Sequence, residues 1–161
     1  MTRNLSRLFV LSVACLLMTS CSSMPLFPLP QTEDGQRAQV LVYRSPAFAA
    51  GGVSLTVGVD GKAFAYLSQS EYVIADLAPG ERSLFVRART GVPTTYPLSL
   101  VRGQRACLKA TPESEDIFHQ AFSGGAVLRS EGYAFYIVPI TCPTADRLGQ
   151  LTRVSVSYAA S

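Results

Sequence analysis

Val53-Ser54-Leu55-Thr56-Val57-Gly58-Val59-Asp60-Gly61-Lys62-Ala63-Phe64-Ala65-Tyr66-Leu67 is the stretch on which the reading of this chain turns. Val53, Leu55, Val57 and Val59 alternate with Ser54, Thr56, Gly58 and Asp60. A period of two sends the first set to one face of a strand and the second to the other, the pattern of a half-buried strand. Asp60-Gly61 then ends the run. A type I′ turn needs positive φ at both central residues, which Asp tolerates and Gly adopts freely. Lys62–Leu67 returns as the partner strand, and the unit is a β-hairpin.

The same grammar continues on both sides. Gln39–Arg44 is a β-branched run suited to a buried strand. Glu71–Leu77 reads as a strand and Ala78-Pro79-Gly80 as a turn, with Pro presetting φ at one central position and Gly supplying positive φ at the next. Arg82–Arg89 alternates, with Leu84, Val86 and Ala88 on one face and Phe85, Arg87 and Arg89 on the other. Thr94–Val101 and Gln104–Thr111 flank the turn Arg102-Gly103. Tyr133–Thr141 is aromatic and β-branched, and Pro139 demotes its end to an edge or a bend. Pro143–Gln150 reads as one or two helical turns. Val154, Val156 and Tyr158, alternating with Ser155 and Ser157, read as a short last strand. The predicted fold is all-β: a sandwich of about seven to eight short antiparallel strands with a short C-terminal helix, over residues 38–161.

The chain ahead of this domain is of another kind. Arg3 and Arg7 precede an apolar run, Leu8–Met18, of 11 residues. A membrane-spanning helix needs about 20, so the run fits the core of a signal peptide. Leu17-Met18-Thr19-Ser20 leads into Cys21. That layout resembles the signal of a bacterial lipoprotein, with residues 1–20 removed and Cys21 lipidated. The rival acceptor, Cys15 after Ser12-Val13-Ala14, leaves only Leu8–Ala14 as apolar core, at the lower limit for such a signal. The resemblance implies a diacylglycerol thioether and an amide-linked acyl chain on Cys21, and stable anchoring does need at least two chains. Ser22 stands where an Asp retains enterobacterial-type lipoproteins in the inner membrane. This implies the inner leaflet of the outer membrane, facing the periplasm. Residues 21–37, with Pro25, Pro28 and Pro30, read as a semi-extended tether. Whether its apolar part, Met24–Leu29, lies against lipid or against the domain is open at this level.

Charge and cysteines narrow the function. Loss of Arg3 and Arg7 takes the formal charge from +3 to +1, so the basic precursor is no sign of nucleic-acid binding. Cys107 and Cys142 remain as a pair in a compartment where disulfides persist, and a bridge between them is expected. If Ala106 and Leu108 face the core, Cys107 faces outward, and the bridge draws the final segment across the outer side of its sheet. His119 is the one histidine. No nucleophile–base–acid set forms around it, and a loop role is the simpler reading. Glu113, Glu115 and Asp116 lack a calcium-loop pattern. No metal and no cofactor is expected.

Several motifs carry a second resemblance. Val42-Tyr43-Arg44, Val57-Gly58-Val59-Asp60-Gly61-Lys62, Tyr72 and Leu77-Ala78-Pro79-Gly80-Glu81-Arg82, in this order, resemble a family of small bacterial lipoproteins of unknown function. Its domain is similar to the PEGA-like β-sandwiches. The likeness covers Ala38 to about Thr111 and departs at Ser45, where the family tends to place Pro straight after Arg. It implies a fold and an envelope location, and no activity.

Between residues 81 and 109, Arg82, Arg87, Arg89, Arg102, Arg105 and Lys109 stand against Glu81 alone. Three neighbouring strands presenting them on one face would attract anionic envelope material. A solvated face neutralised by Glu113–Asp116 is the plainer alternative. The expected function is a lipid-anchored envelope module, structural or protein-interacting and without catalysis. Its partners would be the membrane, through Cys21, and other envelope proteins or glycan. The rival is a binding module for glycan or anionic lipid using outer positions such as Tyr43, Arg44, Tyr66 and Arg87.

Overall fold

Among the described residues the chain forms nine strands: β1 (Ala38–Arg44), β2 (Leu55–Val59), β3 (Lys62–Leu67), β4 (Glu71–Leu77), β5 (Gly80–Ala88), β6 (Thr94–Leu100), β7 (Arg105–Pro112), β8 (Phe135–Pro139) and β9 (Thr152–Val154). One four-residue helix, α1 (Ala145–Leu148), precedes β9. The computed structural model describes residues 24–33, 35–44, 46, 52–89, 91–112 and 135–159. Asp60 and Gly61 take φ of 49° and 77°, so the turn read from that dipeptide is present.

The strands make two sheets, one ordered β8-β7-β1-β4-β9 and the other β3-β2-β5-β6. The chain alternates between them. β1 lies in the first, β2 and β3 in the second, β4 returns beside β1, and β5 and β6 return beside β2. The all-β sandwich expected from the sequence is the fold. Two pairings, β1 with β7 and β4 with β9, are parallel, where antiparallel strands were expected throughout. Parallel neighbours need a long crossover. For β1 and β7 that crossover runs through the opposite sheet.

Between the sheets lie Val40, Val42, Val57, Leu84, Val86, Leu108 and Phe135, with β5 and β6 over β8 and β3 over β4 and β9. A register shift between Val57 and Gly58 admits one extra residue of β3, and both Phe64 and Ala65 reach the core. A bulge does this by letting two residues face one.

β2 departs from the half-buried pattern read in its sequence, because both its faces are covered. It is a central strand. On its outer side Thr56 is flanked by its cross-strand partners Tyr66 and Arg87, and Phe85 of β5 lies over Gly58.

β8 and β9 occupy opposite edges of the five-stranded sheet, so residues 140–151 cross it. They cross its outer face. Cys107, in the phase opposite to Leu108 and Ala110, is bonded to Cys142, and the Ile140 N–H donates to the Cys107 carbonyl at 2.9 Å. Leu41, in the same outward phase on β1, is 0% exposed. The disulfide therefore holds a strap over the sheet, as the alternation around Cys107 implied.

Candidate binding cleft at the end of the sandwich

Leu29 is the residue on which the site is built. Pro28 and Pro30 fix φ on either side of it. The Leu29 N–H donates to the Ser157 carbonyl at 2.9 Å, and the Ala159 N–H returns to the Leu29 carbonyl at 2.8 Å. Its side chain is 3% exposed and belongs to the core. Two residues earlier, the Phe27 N–H donates to the Ala63 carbonyl at 2.7 Å, along the free edge of β3. From Met24 onward the backbone is thus laid on the sandwich; of the apolar run left open by the sequence, Leu29 lies in the domain core, while the side chains of Leu26 and Phe27 stay exposed. The expected tether, residues 21–37, is docked over this part because an apolar residue that fills the gap between β3 and the C-terminal segment gains more than one left in water.

Past Leu29, residues 30–33 and Gln36 face the hairpin tip across a cleft of about 600 Å³. Phe27, Pro28, Leu29, Val59 and Leu77 supply its apolar lining; Glu33, Gln36, Asp60, Lys62 and Arg82 supply the polar lining. Its size lies within the range of ligand clefts. Asp60 organises one wall. Its Oδ1 accepts the Ser83 N–H at 2.9 Å, and its Oδ2 accepts from Arg82 at 3.0 Å. Arg82 Nε also donates to the Ala78 carbonyl at 3.3 Å, tying the β4–β5 turn to the β2–β3 turn.

The six expected cations do not share one face. β5 and β7 belong to different sheets, so Arg87 points out from one side of the sandwich and Arg105 and Lys109 from the other. Period two reports which way a side chain points within its sheet and says nothing of which sheet the strand joins. Several cations are also engaged. Arg82 pairs with Asp60, and Arg102 donates to the Gln36 side chain. Arg105 Nε donates to Gln39 at 2.9 Å, and Gln39 in turn donates to Asp76 at 2.9 Å. Arg37 pairs with the same Asp76 at 3.1 Å. Glu113, Glu115, Asp116 and His119 lie outside the described residues, as does Cys21.

Arg44 corrects a second expectation. It shares the core-facing phase of β1 with Val40 and Val42 and is 1% exposed, so it is no outer binding position. Its guanidinium donates to the Val53 carbonyl and, at 3.2 Å, to the Leu67 carbonyl, and stands 5.2 Å from the Phe135 ring centre. Burial lowers its pKa, and the charge of Glu71 opposes that shift. Tyr66 is half-buried, and its hydroxyl donates to the Met24 carbonyl. Tyr43 is half-buried on the outer side of the five-stranded sheet, beside Tyr72 and Lys109.

Sequence reasoning missed the cleft. The available signal was Leu29 itself, an apolar residue at the end of an apolar run and held rigid by two prolines. Among the described residues no group of three or more His, Cys, Asp or Glu is placed to hold a metal ion, and no helix is long and apolar enough to cross a membrane. The chain matches no family model and no curated protein.

Proposed function

We propose that this protein is a lipid-anchored module of a bacterial envelope that binds a partner in the cleft beside Leu29 and performs no catalysis. The observation that carries the reading is the cleft itself, an apolar floor with a few convergent polar groups at the hairpin tip. Its wall is the chain that leads directly from Cys21. The basic and apolar signal pattern, Cys21 and the likeness to small lipoproteins support the anchor. The Cys107–Cys142 bridge fits an oxidising compartment. The inner leaflet of the outer membrane is the location this reading assigns.

The test places photo-crosslinkers at Gln31, Glu33 and Lys62 of the full chain in intact cells. A discrete protein adduct from these positions, and none from Val138 on the far sheet, is expected. Adducts that do not depend on position would refute the cleft as the binding surface. In parallel, Cys21→Ala should leave an unprocessed precursor without palmitate, while Cys15→Ala should be processed and labelled normally. Label retained in the Cys21 variant would sink the anchor.

A second reading, an envelope glycan in the same cleft, is favoured by one feature. Phe27 lines the cleft together with Asp60, Lys62 and Gln36, an aromatic ring in one cleft with groups able to donate to and accept from hydroxyls. Adducts carrying glycan mass in place of peptide mass would select it.

A further inference from the structure

The outer face of the four-stranded sheet holds a depression of about 210 Å³ bordered by Met24, Ser83, Phe85, Arg87 and Pro93. The Arg87 Nε is buried there and has no hydrogen-bond partner among the described residues. A buried donor on a cation is unfavourable without an acceptor. The planar fork of Arg matches the oxygens of a phosphate better than any other side chain does.

Met24 borders the same depression as Arg87. Its carbonyl is held by the Tyr66 hydroxyl, and the Phe27 N–H is held by Ala63, so the chain is fastened to this sheet from Met24 on. Cys21 lies three residues earlier. Three residues reach ~11 Å at full extension. A lipid on Cys21 sits at the headgroup level, so a chain this short holds the sheet beside the bilayer and leaves no room for a spacer. Apolar side chains are exposed along the same route: Leu26 at 46%, Phe27 at 44%, and Val92, next to Pro93, at 70%.

We propose that the outer face of the β3-β2-β5-β6 sheet lies against the bilayer that carries the anchor. Arg87 takes the phosphate of an acidic lipid headgroup, and Leu26 and Val92 rest in the interfacial layer. This rests on the lipid-anchor reading of Cys21. Exposed apolar side chains beside a cation are the usual means by which a surface settles at that depth. The arrangement differs from the six-cation face expected from the sequence. It uses one arginine, on one sheet, chosen by its distance along the chain from the anchor.

The experiment uses the full lipidated chain in phosphatidylcholine vesicles, with and without phosphatidylglycerol. A fluorophore is placed through Val92→Cys or, for reference, Val138→Cys on the opposite face, and quenched by a lipid-borne nitroxide. Cys107 and Cys142 are bonded to each other and do not compete for label. Quenching several-fold stronger at position 92 than at 138 is expected. Phosphatidylglycerol should deepen it, Arg87→Gln should abolish that increment, and Arg87→Lys should keep part of it. Equal quenching at both positions overturns the orientation. An increment unchanged in Arg87→Gln overturns the headgroup contact. The mass of the N-terminal peptide separates the two levels. Lipid on Cys21 with equal quenching defeats this inference alone, whereas an unmodified Cys21 defeats the anchor and this inference with it.

Discussion

A methyl group at Gly58 would stand 2.1 Å from a ring carbon of Phe85 and 2.6 Å from the carbonyl oxygen of Lys62. The ring could turn aside; the carbonyl belongs to the hairpin ladder and cannot. Gly58→Ala should therefore cost on the order of 1–3 kcal/mol, the usual cost of overpacking, read as a lower denaturation midpoint at unchanged slope. In a Phe85→Leu background the same substitution should cost less without becoming neutral. An unchanged midpoint for Gly58→Ala would show that β2 is not pinned between its neighbours. Arg44 makes the opposite demand. Two backbone carbonyls at the open ends of loops depend on its guanidinium. Arg44→Met keeps most of the volume and removes a buried charge, but it leaves both carbonyls without their donor. The second effect is the larger, because a buried unsatisfied group costs about 1–3 kcal/mol and a backbone carbonyl cannot be replaced by an apolar one. Net destabilisation of that order is expected in a urea titration. A more stable Arg44→Met would mean that water or another donor serves the carbonyls.

At the scale of elements, the strap over the five-stranded sheet is the part held by chemistry more than by pairing. Residues 140–151 contribute one short helix without buried side chains, and the bridge to Cys107 is their covalent tie. A closure of 35 residues corresponds to roughly 3–4 kcal/mol in the chain-entropy account, less where the denatured state keeps structure. Reduction should therefore release amide protection first in Ile140–Leu151 and in β9, with β1, β2 and β5 following only at global unfolding. Simultaneous loss across all strands would contradict the strap geometry. This element also marks what a sequence discloses. The hairpin at Asp60-Gly61, the outward phase of Cys107 and the turn at Pro79-Gly80 were legible because alternation and turn chemistry are local. The partner of β7 was not. Nothing in Arg105–Pro112 distinguishes a strand that continues beside β6 from one that crosses to lie parallel to β1. That choice is made by how two sheets close over one core, and it separated Arg105 and Lys109 from Arg87. The burial of Arg44 was hidden for a similar reason, since the last inward position of a strand reads as solvent until a loop and β8 are known to cover it.

At the scale of the whole molecule, the N-terminal segment is part of the sandwich. Leu29 joins the core, its backbone pairs with residues 157 and 159, and Phe27 extends the edge of β3. Tyr158, opposite Leu29, accepts the Asp76 N–H on its hydroxyl at 2.9 Å, so the C-terminal segment is locked to β4 from the other side. A chain beginning at Ala38, the first residue of β1, would leave that side of the core uncovered. Burial of one leucine accounts for about 1.5–3 kcal/mol, and each lost hydrogen bond adds roughly 0.5–1.5 kcal/mol. A chain beginning at Met24 should keep the full denaturation midpoint, and one beginning at Ala38 should lose several kcal/mol, with early hydrogen exchange at Ser157–Ala159. Leu29→Ala in the full chain should reproduce the larger part of that loss, since its cost combines transfer and cavity at about 2–5 kcal/mol. Equal stability of the two shortened chains would mean that residues 24–37 merely rest on the domain. The cleft would then lose its fixed wall, and the short reach from Cys21 to the four-stranded sheet would no longer support the orientation proposed for the domain on a bilayer.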